Sequence, residues 1–135
     1  MSTTTIIPKI LYVDDDNDDC IFLTESFANT EANLVCASGG EEAISYLNSI
    51  STESLPSLII LDLNMPKWDG RQTLCYIKAH PSLSKIPVVI LSTSDNKTDQ
   101  EVCARLGAAS YLQKPYYYDG YKEIVKNCLP LMKVS

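Results

Sequence analysis

The sequence lacks the features that identify membrane, secreted or nucleic-acid-binding proteins. No apolar run approaches the roughly 20 residues that a membrane helix needs. Residues 1–8 show no basic region followed by a long apolar stretch, so a signal peptide is not expected. Lysine and arginine number 11 against 17 acidic residues, and this net charge of -6 disfavours direct binding to nucleic acid. The expected partners are therefore proteins rather than nucleic acids or membranes.

The cysteines also lack a recognisable arrangement. They are odd in number, scattered, and without C-x-x-C spacing: Cys20, Cys36, Cys75, Cys103 and Cys128. This pattern predicts reduced thiols, mostly buried as small hydrophobic residues, and a cytoplasmic protein. No metal or redox role is expected for them, because ligand spacing is absent.

The length of 135 residues and the hydrophobic content of 45% are typical of one globular domain. We expect a single domain over residues 1–135, with its core at about 8–129, a short polar N-terminal lead-in and a short C-terminal tail. About six residues follow the last predicted helix, which leaves no room for an output domain.

Short aliphatic runs alternate with stretches of helical spacing along the whole chain. The runs predict strands that are covered on both faces, and they occupy residues 10–13, 34–37, 58–61, 88–91 and 111–112. Apolar residues recur at helical spacing in the five stretches 20–28, 43–47, 74–79, 102–106 and 121–129. This order predicts five βα units, which form a parallel sheet with helices on both faces.

Chemically versatile side chains follow four of these predicted strands. In chain order they are Asp14-Asp15-Asp16, Asp62, Ser92-Thr93-Ser94 and Lys114-Pro115. Functional groups in open parallel sheets gather outside the carboxyl ends of the strands, so we expect these side chains to converge. The alternative, purely structural role for aspartates at this place is a helix N-cap, which we expect for Asp16 or Asn17 but not for Asp14 and Asp15.

Such a cluster could perform phosphoryl transfer to Asp62. The carboxylates of Asp14 and Asp15 would repel an anionic donor unless a hard divalent cation such as Mg²⁺ neutralised them. Lys114 would supply a positive charge to one phosphoryl oxygen, and Ser92 a hydroxyl donor to another. Positioning and charge stabilisation are most of what phosphoryl transfer requires.

With these segments in place, the chain resembles a response-regulator receiver domain, the CheY-like fold of two-component signalling. The matching segments are 10–15, 61–66 with 69–70, 87–92, and 107–108 with 111–115. The resemblance covers roughly residues 8–129. It implies an α/β fold of flavodoxin-like type, a doubly wound five-stranded parallel sheet with strand order 2-1-3-4-5.

The resemblance also implies roles for the acidic residues. Asp62 would be the phospho-acceptor and a metal ligand. Asp15 would bind Mg²⁺, or Mn²⁺, directly, Asn64 would contribute its backbone carbonyl, and Asp14 would act through a metal-bound water. Asp69-Gly70 is predicted only to form a turn, with Asp69 near a helix start.

A second group of residues would act on the phosphoryl group and transmit its presence. Lys114 and Ser92 would contact the phosphoryl oxygens, so they are predicted catalytic residues. Ser92 would also be the switch hydroxyl, and Tyr111 the aromatic residue whose rotamer follows it. A cis peptide is expected at Lys114-Pro115.

The implied function is a signalling receiver, which catalyses only its own phosphorylation and dephosphorylation. Its donor would be a phosphohistidine on a sensor histidine kinase or phosphotransfer protein, or a small phosphodonor. A downstream protein would then bind the face formed by the fourth helix, fifth strand and fifth helix, whose two packings exchange in population.

Aromatic residues near the site suggest further contacts. Tyr116, Tyr117, Tyr118 and Tyr121 cannot all face inward on one helix, so an exposed patch and an interface such as a homodimer are expected. Trp68 is predicted either to pack on its own loop or to dock a partner. The single histidine, His80, is expected on the surface past a helix end.

Three alternative functions use related folds or residues. A haloacid-dehalogenase-like phosphatase would need an acid two residues after the nucleophile, where this chain has Asn64. A flavodoxin-like electron carrier would need a glycine- and hydroxyl-rich phosphate loop after the first strand, where three aspartates would repel the phosphate. A phosphorylation-independent adaptor would leave crowded carboxylates idle, at an electrostatic cost.

Overall fold

The aliphatic runs form a five-stranded parallel sheet in the computed structural model, which describes residues 8–65 and 69–132 except the Tyr118 side chain. The strands are β1 (Lys9–Val13), β2 (Asn33–Ala37), β3 (Leu58–Asp62), β4 (Val88–Ser92) and β5 (Ser110–Gln113). Their spatial order is β2-β1-β3-β4-β5, which confirms the order implied by the resemblance. All residues of β3 and β4 are buried, as continuous aliphatic sequences predict.

Five α-helices follow the strands in turn. They are α1 (Asn17–Phe27), α2 (Gly40–Ser49), α3 (Gly70–Ala79), α4 (Lys97–Arg105) and α5 (Tyr121–Cys128). Short 3-10 helices lie at Thr52–Ser54, Tyr118–Gly120 and Leu129–Leu131. Within the described ranges, no helix is both long and apolar enough to cross a membrane.

The sheet separates two apolar cores. Alternate strand residues such as Leu11, Ile59 and Ile90 pack with α2, α3 and α4 on one face. The intervening residues, such as Tyr12 and Ile60, pack with α1 and α5 on the other face. Because successive strand side chains point to opposite faces, a continuous aliphatic run fills both cores at once.

The helix ends follow their local sequences. Asp16 is the N-cap of α1, as predicted, and its carboxylate accepts hydrogen bonds from the amides of Asp18 and Asp19. Asp69 caps α3 in a reciprocal capping box with Gln72. Gly107 follows α4 with a φ of 104°, a backbone conformation that suits glycine at a helix C-terminus.

The cysteine prediction was wrong for one pair, because Cys20 and Cys36 form a disulfide. Cys20 lies in the first turns of α1 and Cys36 on β2, and their Cα atoms are 6.4 Å apart, within disulfide range. Odd number and spacing could not reveal that α1 brings them together. Cys103 and Cys128 are buried thiols as expected, whereas Cys75 is exposed. Because disulfides are rare in cytoplasmic proteins, the cysteines of this chain do not indicate a cytoplasmic location.

A second expectation also failed. The described residues contain no cis peptide bond, so the Lys114-Pro115 peptide is trans. The cis isomer was expected only from the resemblance, whereas the trans isomer is intrinsically favoured even before proline. The prediction for Trp68 lies outside the described residues.

Candidate functional site

The sheet register brings the predicted site residues to one edge. Val13 pairs with Leu61, Asp62 with Leu91, and Ser92 with Gln113. Four strands therefore end at nearly the same level. The residues that follow them, including Asp14 and Lys114, lie together above this edge.

Three carboxylates form the centre of the site. Asp14 and Asp62 are each only 5% exposed, whereas Asp15 is exposed to solvent. One carboxylate oxygen of each residue lies within 4.8 Å of those of the other two. This hard-oxygen donor set, with its concentrated negative charge and one solvent-facing ligand, fits a divalent cation. The structure thus brings together Asp15 and Asp62, the predicted direct metal ligands, and Asp14, which is predicted to act through a metal-bound water.

The backbone after β3 holds Asp62 in place. The amide of Asn64 donates to Asp62 Oδ1 at 3.3 Å, which places Asn64 next to the cluster. The amide of Gly70 donates to the Leu63 carbonyl at 3.0 Å. A Cβ at Gly70 would lie 2.5 Å from the Asp62 carbonyl oxygen, so only glycine allows α3 to begin this close to the site. Asp69-Gly70 is therefore more than the simple turn that the sequence suggested.

Lys114 is the cation at the centre of the cluster. Its Nζ lies 2.8 Å from Asp14 Oδ2, 2.9 Å from Asp19 Oδ2 and 3.6 Å from Asp62 Oδ2. Burial alone would lower the pKa of Lys114, but its hydrogen bonds with Asp14 and Asp19 outweigh burial and raise that pKa. Lys114 is therefore a fixed positive charge beside Asp62.

The carboxylate of Asp14 is fully engaged by its neighbours. Asp14 Oδ2 accepts hydrogen bonds from the Tyr12 hydroxyl and Lys114 Nζ, and Oδ1 accepts one from the Asp16 amide at 2.9 Å. Burial would raise the pKa of Asp14, but these hydrogen bonds favour the ionised form and lower the pKa. Asp14 thus stays charged in the buried part of the site.

The pKa of Asp62 is shifted in the opposite direction to that of Asp14. Burial, and next the negative charge of Asp14, raise the pKa of Asp62 to about 7, although Lys114 and the Asn64 amide act in the other direction. Without a further cation, the site therefore holds more negative charge than Lys114 can compensate. A nearby divalent ion would relieve this repulsion.

Ser92 and Tyr111 meet at the loop between β4 and α4. Ser92 is fully buried, and its Oγ accepts a hydrogen bond from the Ser94 amide at 3.1 Å. The hydroxyl of Tyr111 donates to the Ser94 carbonyl at 2.9 Å. Both predicted switch residues are thus bonded to one loop residue. Ser94 Oγ is held in turn by Asp99, which pairs with Arg71 of α3.

Three residues in the site were missed by sequence reasoning: Tyr12, Asp19 and Tyr121. The apolar pattern assigned Tyr12 to the core as a residue of β1. Its hydroxyl donates a hydrogen bond to Asp14 from the buried side of the site. Asp19 could not be distinguished from Asp18, because acids of either position are favoured in a first helical turn. Tyr121 read as part of the aromatic patch, yet it is only 4% exposed and donates to Asp19.

The charge imbalance at Asp62 predicts that Asp62→Asn stabilises the metal-free protein at alkaline pH. The folded state raises the pKa of Asp62 from 3.8 to about 7. A raised carboxyl pKa contributes stability that is present below pH 4 and is lost as the pH rises through 7. Replacement by asparagine should therefore add on the order of 3 kcal/mol to the free energy of unfolding at pH 8, and less at pH 5.

Urea unfolding in the presence of a chelator measures this effect. Asp15→Asn is the matched control, since its exposed carboxylate is solvated by water, and a change of only about 0.5 kcal/mol is expected. An equal gain from Asp62→Asn at both pH values would assign the effect to packing of the amide and not to charge.

Comparison with known proteins gives consistent similarities. The response regulator receiver domain family matches residues 10–126. The chain is 37% identical over 120 residues to response regulator Rcp1 of Synechocystis sp., covering 84% of this chain and 82% of Rcp1. It is 30% identical over 111 residues to the sensory transduction protein BceR of Halalkalibacterium halodurans, of which it spans only 45%.

Two solved structures are similar over almost the whole chain. The phosphorylated cyanobacterial phytochrome response regulator RcpA superposes with a TM-score of 0.86 at 36% identity, covering 94% of each chain. The Mn²⁺-bound form of Rcp1 superposes with a TM-score of 0.81 at 32% identity, covering 95% of this chain and 97% of Rcp1.

Proposed function

Since the chain belongs to the response regulator receiver domain family, we propose that Asp62 accepts a phosphoryl group from a phosphohistidine of a sensor histidine kinase or phosphotransfer protein. The observation that carries this proposal is the position of Asp62, with Lys114 Nζ 3.6 Å away and with Asp14 and Asp15 beside it. Phosphorylated RcpA, which has a closely similar structure, supports it.

The proposed step is an in-line displacement at phosphorus. A carboxylate oxygen of Asp62 forms a new P–O bond, and the P–N bond to the imidazole breaks, with its electron pair leaving on the imidazole nitrogen. With acetyl phosphate the P–O bond to acetate breaks instead. Lys114 stabilises charge on the transferred oxygens, and the buried Ser92 hydroxyl is proposed to donate to another of them.

We propose Mg²⁺ as the physiological metal, with Mn²⁺ as a substitute. Asp15 and Asp62 would bind it directly with the Asn64 carbonyl, and Asp14 would act through water. A bound ion would supply positive charge that offsets these carboxylates and the charge of the transferred phosphoryl group. The existence of an Mn²⁺-bound form of the similar protein Rcp1 supports binding of a divalent metal.

The proposed response to phosphorylation passes through Ser94. If Ser92 Oγ turns toward the phosphoryl group, its bond with the Ser94 amide is lost and the loop that holds the Tyr111 hydroxyl is released. A change of the Tyr111 rotamer would then alter the face formed by α4, β5 and α5. We propose that a downstream protein reads this face, as a shift between two packings.

The aromatic patch offers a second contact surface. Tyr116 and Tyr117 are 83% and 80% exposed, at the start of the segment between β5 and α5. Large exposed aromatic side chains favour a protein interface, and we propose that this segment contributes to binding of a partner or of a second copy of the chain. We further propose that this receiver domain is cytoplasmic, makes no direct nucleic-acid contacts, and catalyses only its own phosphorylation and dephosphorylation.

Incubation with acetyl phosphate tests the proposed function. The intact protein should gain the mass of one phosphoryl group when Mg²⁺ is present, and the gain should disappear when a chelator removes the metal. A phosphorylation-independent adaptor would show no gain in either condition. A phosphatase would instead release phosphate from simple esters with repeated turnover.

A further inference from the structure

Lys114 is shared with a carboxylate that the proposed phosphotransfer does not use. Its Nζ is 2.9 Å from Asp19 Oδ2, nearly as close as the 2.8 Å to Asp14 Oδ2, whereas Asp62 Oδ2 is 3.6 Å away. In this unphosphorylated state, the ammonium is thus hydrogen-bonded to Asp14 and Asp19 and only in looser electrostatic contact with the acceptor.

The orientation of Asp19 is fixed from the other side by Tyr121. The Tyr121 hydroxyl donates to Asp19 Oδ1 at 2.8 Å, so both oxygens of the carboxylate are engaged. Tyr121 begins α5, is almost fully buried, and packs its ring 5.8 Å from that of Phe22. The residue after Asp19, Cys20, is tied to β2 by the disulfide with Cys36. Asp19 is therefore a well-supported partner and not a loosely placed surface acid.

We propose that Asp19 is a positioning residue that holds Lys114 in the unphosphorylated protein and competes with the phosphoryl group for its ammonium. This inference rests on the proposed phosphorylation of Asp62. Asp14 and Asp19 use two of the three N–H donors of the Lys114 ammonium, and the third can serve a phosphoryl oxygen on Asp62. The ammonium carries only one positive charge, however, so a close bond to the phosphoryl group weakens its attraction to the two carboxylates.

The partnership with Asp19 is the one that yields. Asp14 has a side chain only 1% exposed and would be left as a buried anion, which is costly. The Asp19 side chain is 17% exposed and can be rehydrated when Lys114 moves. Asp19 also places a negative charge near the incoming anion. Both effects oppose phosphorylation. Asp19→Asn removes the negative charge and leaves only a weaker, neutral acceptor for the Lys114 ammonium.

The rate constant for phosphorylation by acetyl phosphate at saturating Mg²⁺ tests this role. Asp19→Asn is expected to raise it by roughly three- to tenfold, since a charge-assisted hydrogen bond at a partly screened site is released. Asp18→Asn is the matched control, because it removes an exposed charge one residue away that does not contact Lys114. Its effect should stay below about twofold, as expected for a screened charge.

Two further variants distinguish an Asp19 side chain that holds the Lys114 ammonium from one that only supports the local structure. Tyr121→Phe keeps every charge and removes only the hydroxyl that fixes Asp19, so a smaller acceleration is expected. Asp19→Glu keeps a carboxylate that can reach Lys114, so its rate constant for phosphorylation should be close to that of the protein without substitutions. A merely structural role for Asp19 would instead make Asp19→Asn and Tyr121→Phe slower, because a damaged site phosphorylates poorly.

A readout without phosphorylation completes the test. The ¹H–¹⁵N signal of a hydrogen-bonded Lys114 ammonium should be observable in the unphosphorylated protein and should broaden in Asp19→Asn but not in Asp18→Asn. If the protein without substitutions accepts a phosphoryl group but Asp19→Asn is phosphorylated no faster than Asp18→Asn, the role of Asp19 is refuted while the proposed function stands. If the protein without substitutions accepts no phosphoryl group, the proposed function and the role of Asp19 both fail.

Discussion

Asp62→Asn is expected to abolish phosphoryl incorporation from acetyl phosphate, with a loss of at least about a thousandfold in rate. The amide has no anionic oxygen with which to form an acyl phosphate. Asp14 is not placed to substitute, because both of its oxygens are engaged by Tyr12, Lys114 and the Asp16 amide. A time course of intact-protein mass measures the loss.

Asp15→Asn is the informative comparison for that variant. It removes one of the three clustered carboxylates but leaves the proposed nucleophile. Phosphorylation should become slower and should recover in part at high Mg²⁺, whereas Asp62→Asn should not recover at any concentration. Equal recovery of both variants would mean that Asp62 serves only as a metal ligand.

Lys114→Met is expected to lower the free energy of unfolding of the metal-free protein by about 3 to 5 kcal/mol at pH 8. Methionine fills a similar volume but leaves Asp14, Asp19 and Asp62 without their cation. Breaking a largely buried ion pair by removing one partner leaves the other charge unpaired, which is the costly case. Mg²⁺ should restore part of the stability, because it supplies positive charge to the same carboxylates.

Urea unfolding with a chelator and with Mg²⁺ measures both parts of this prediction. Lys122→Met is the control, since this lysine of α5 is exposed and its loss should change stability by only about 0.5 kcal/mol. A Lys114→Met variant as stable as the control in chelator would contradict the charge balance described for the site.

Much of the architecture could be predicted from the pattern of apolar residues. Runs such as 58–61 and 88–91 become fully buried strands, because a sheet covered on both faces buries the side chains of successive strand residues. The strand order could not be predicted from the apolar pattern. It came from the resemblance, since the alternation of strands and helices predicts a parallel sheet but not which strand lies next to which.

The centre of the site was predictable for a simple geometric reason. Parallel strands end at one edge, and the strand order implied by the resemblance places β1 next to β3 and β5 one strand further on, so Asp14, Asp62 and Lys114 were expected near one another. Metal ligation by the Asn64 carbonyl and the coupled motion of Ser92 and Tyr111 remain predictions, because they describe states other than the one seen here.

The missed residues depend on side-chain reach and on helix rotation. Asp19 faces Lys114 and Asp18 faces solvent, although the two acids are adjacent and equivalent in sequence. The Cys20–Cys36 disulfide was missed for the same reason, because the pairing follows from how α1 lies over β2. Spacing along a chain carries little information about which neighbouring elements touch.

Location of the phosphoryl group on the chain tests the central claim most directly. After reaction with acetyl phosphate and Mg²⁺, borohydride reduction of the acyl phosphate followed by peptide mass spectrometry identifies the modified carboxyl group. Modification should be found at Asp62 alone. Modification at Asp14, Asp15 or Asp19 with Asp62 intact, or no modification at all, would contradict the assignment of Asp62 as the acceptor.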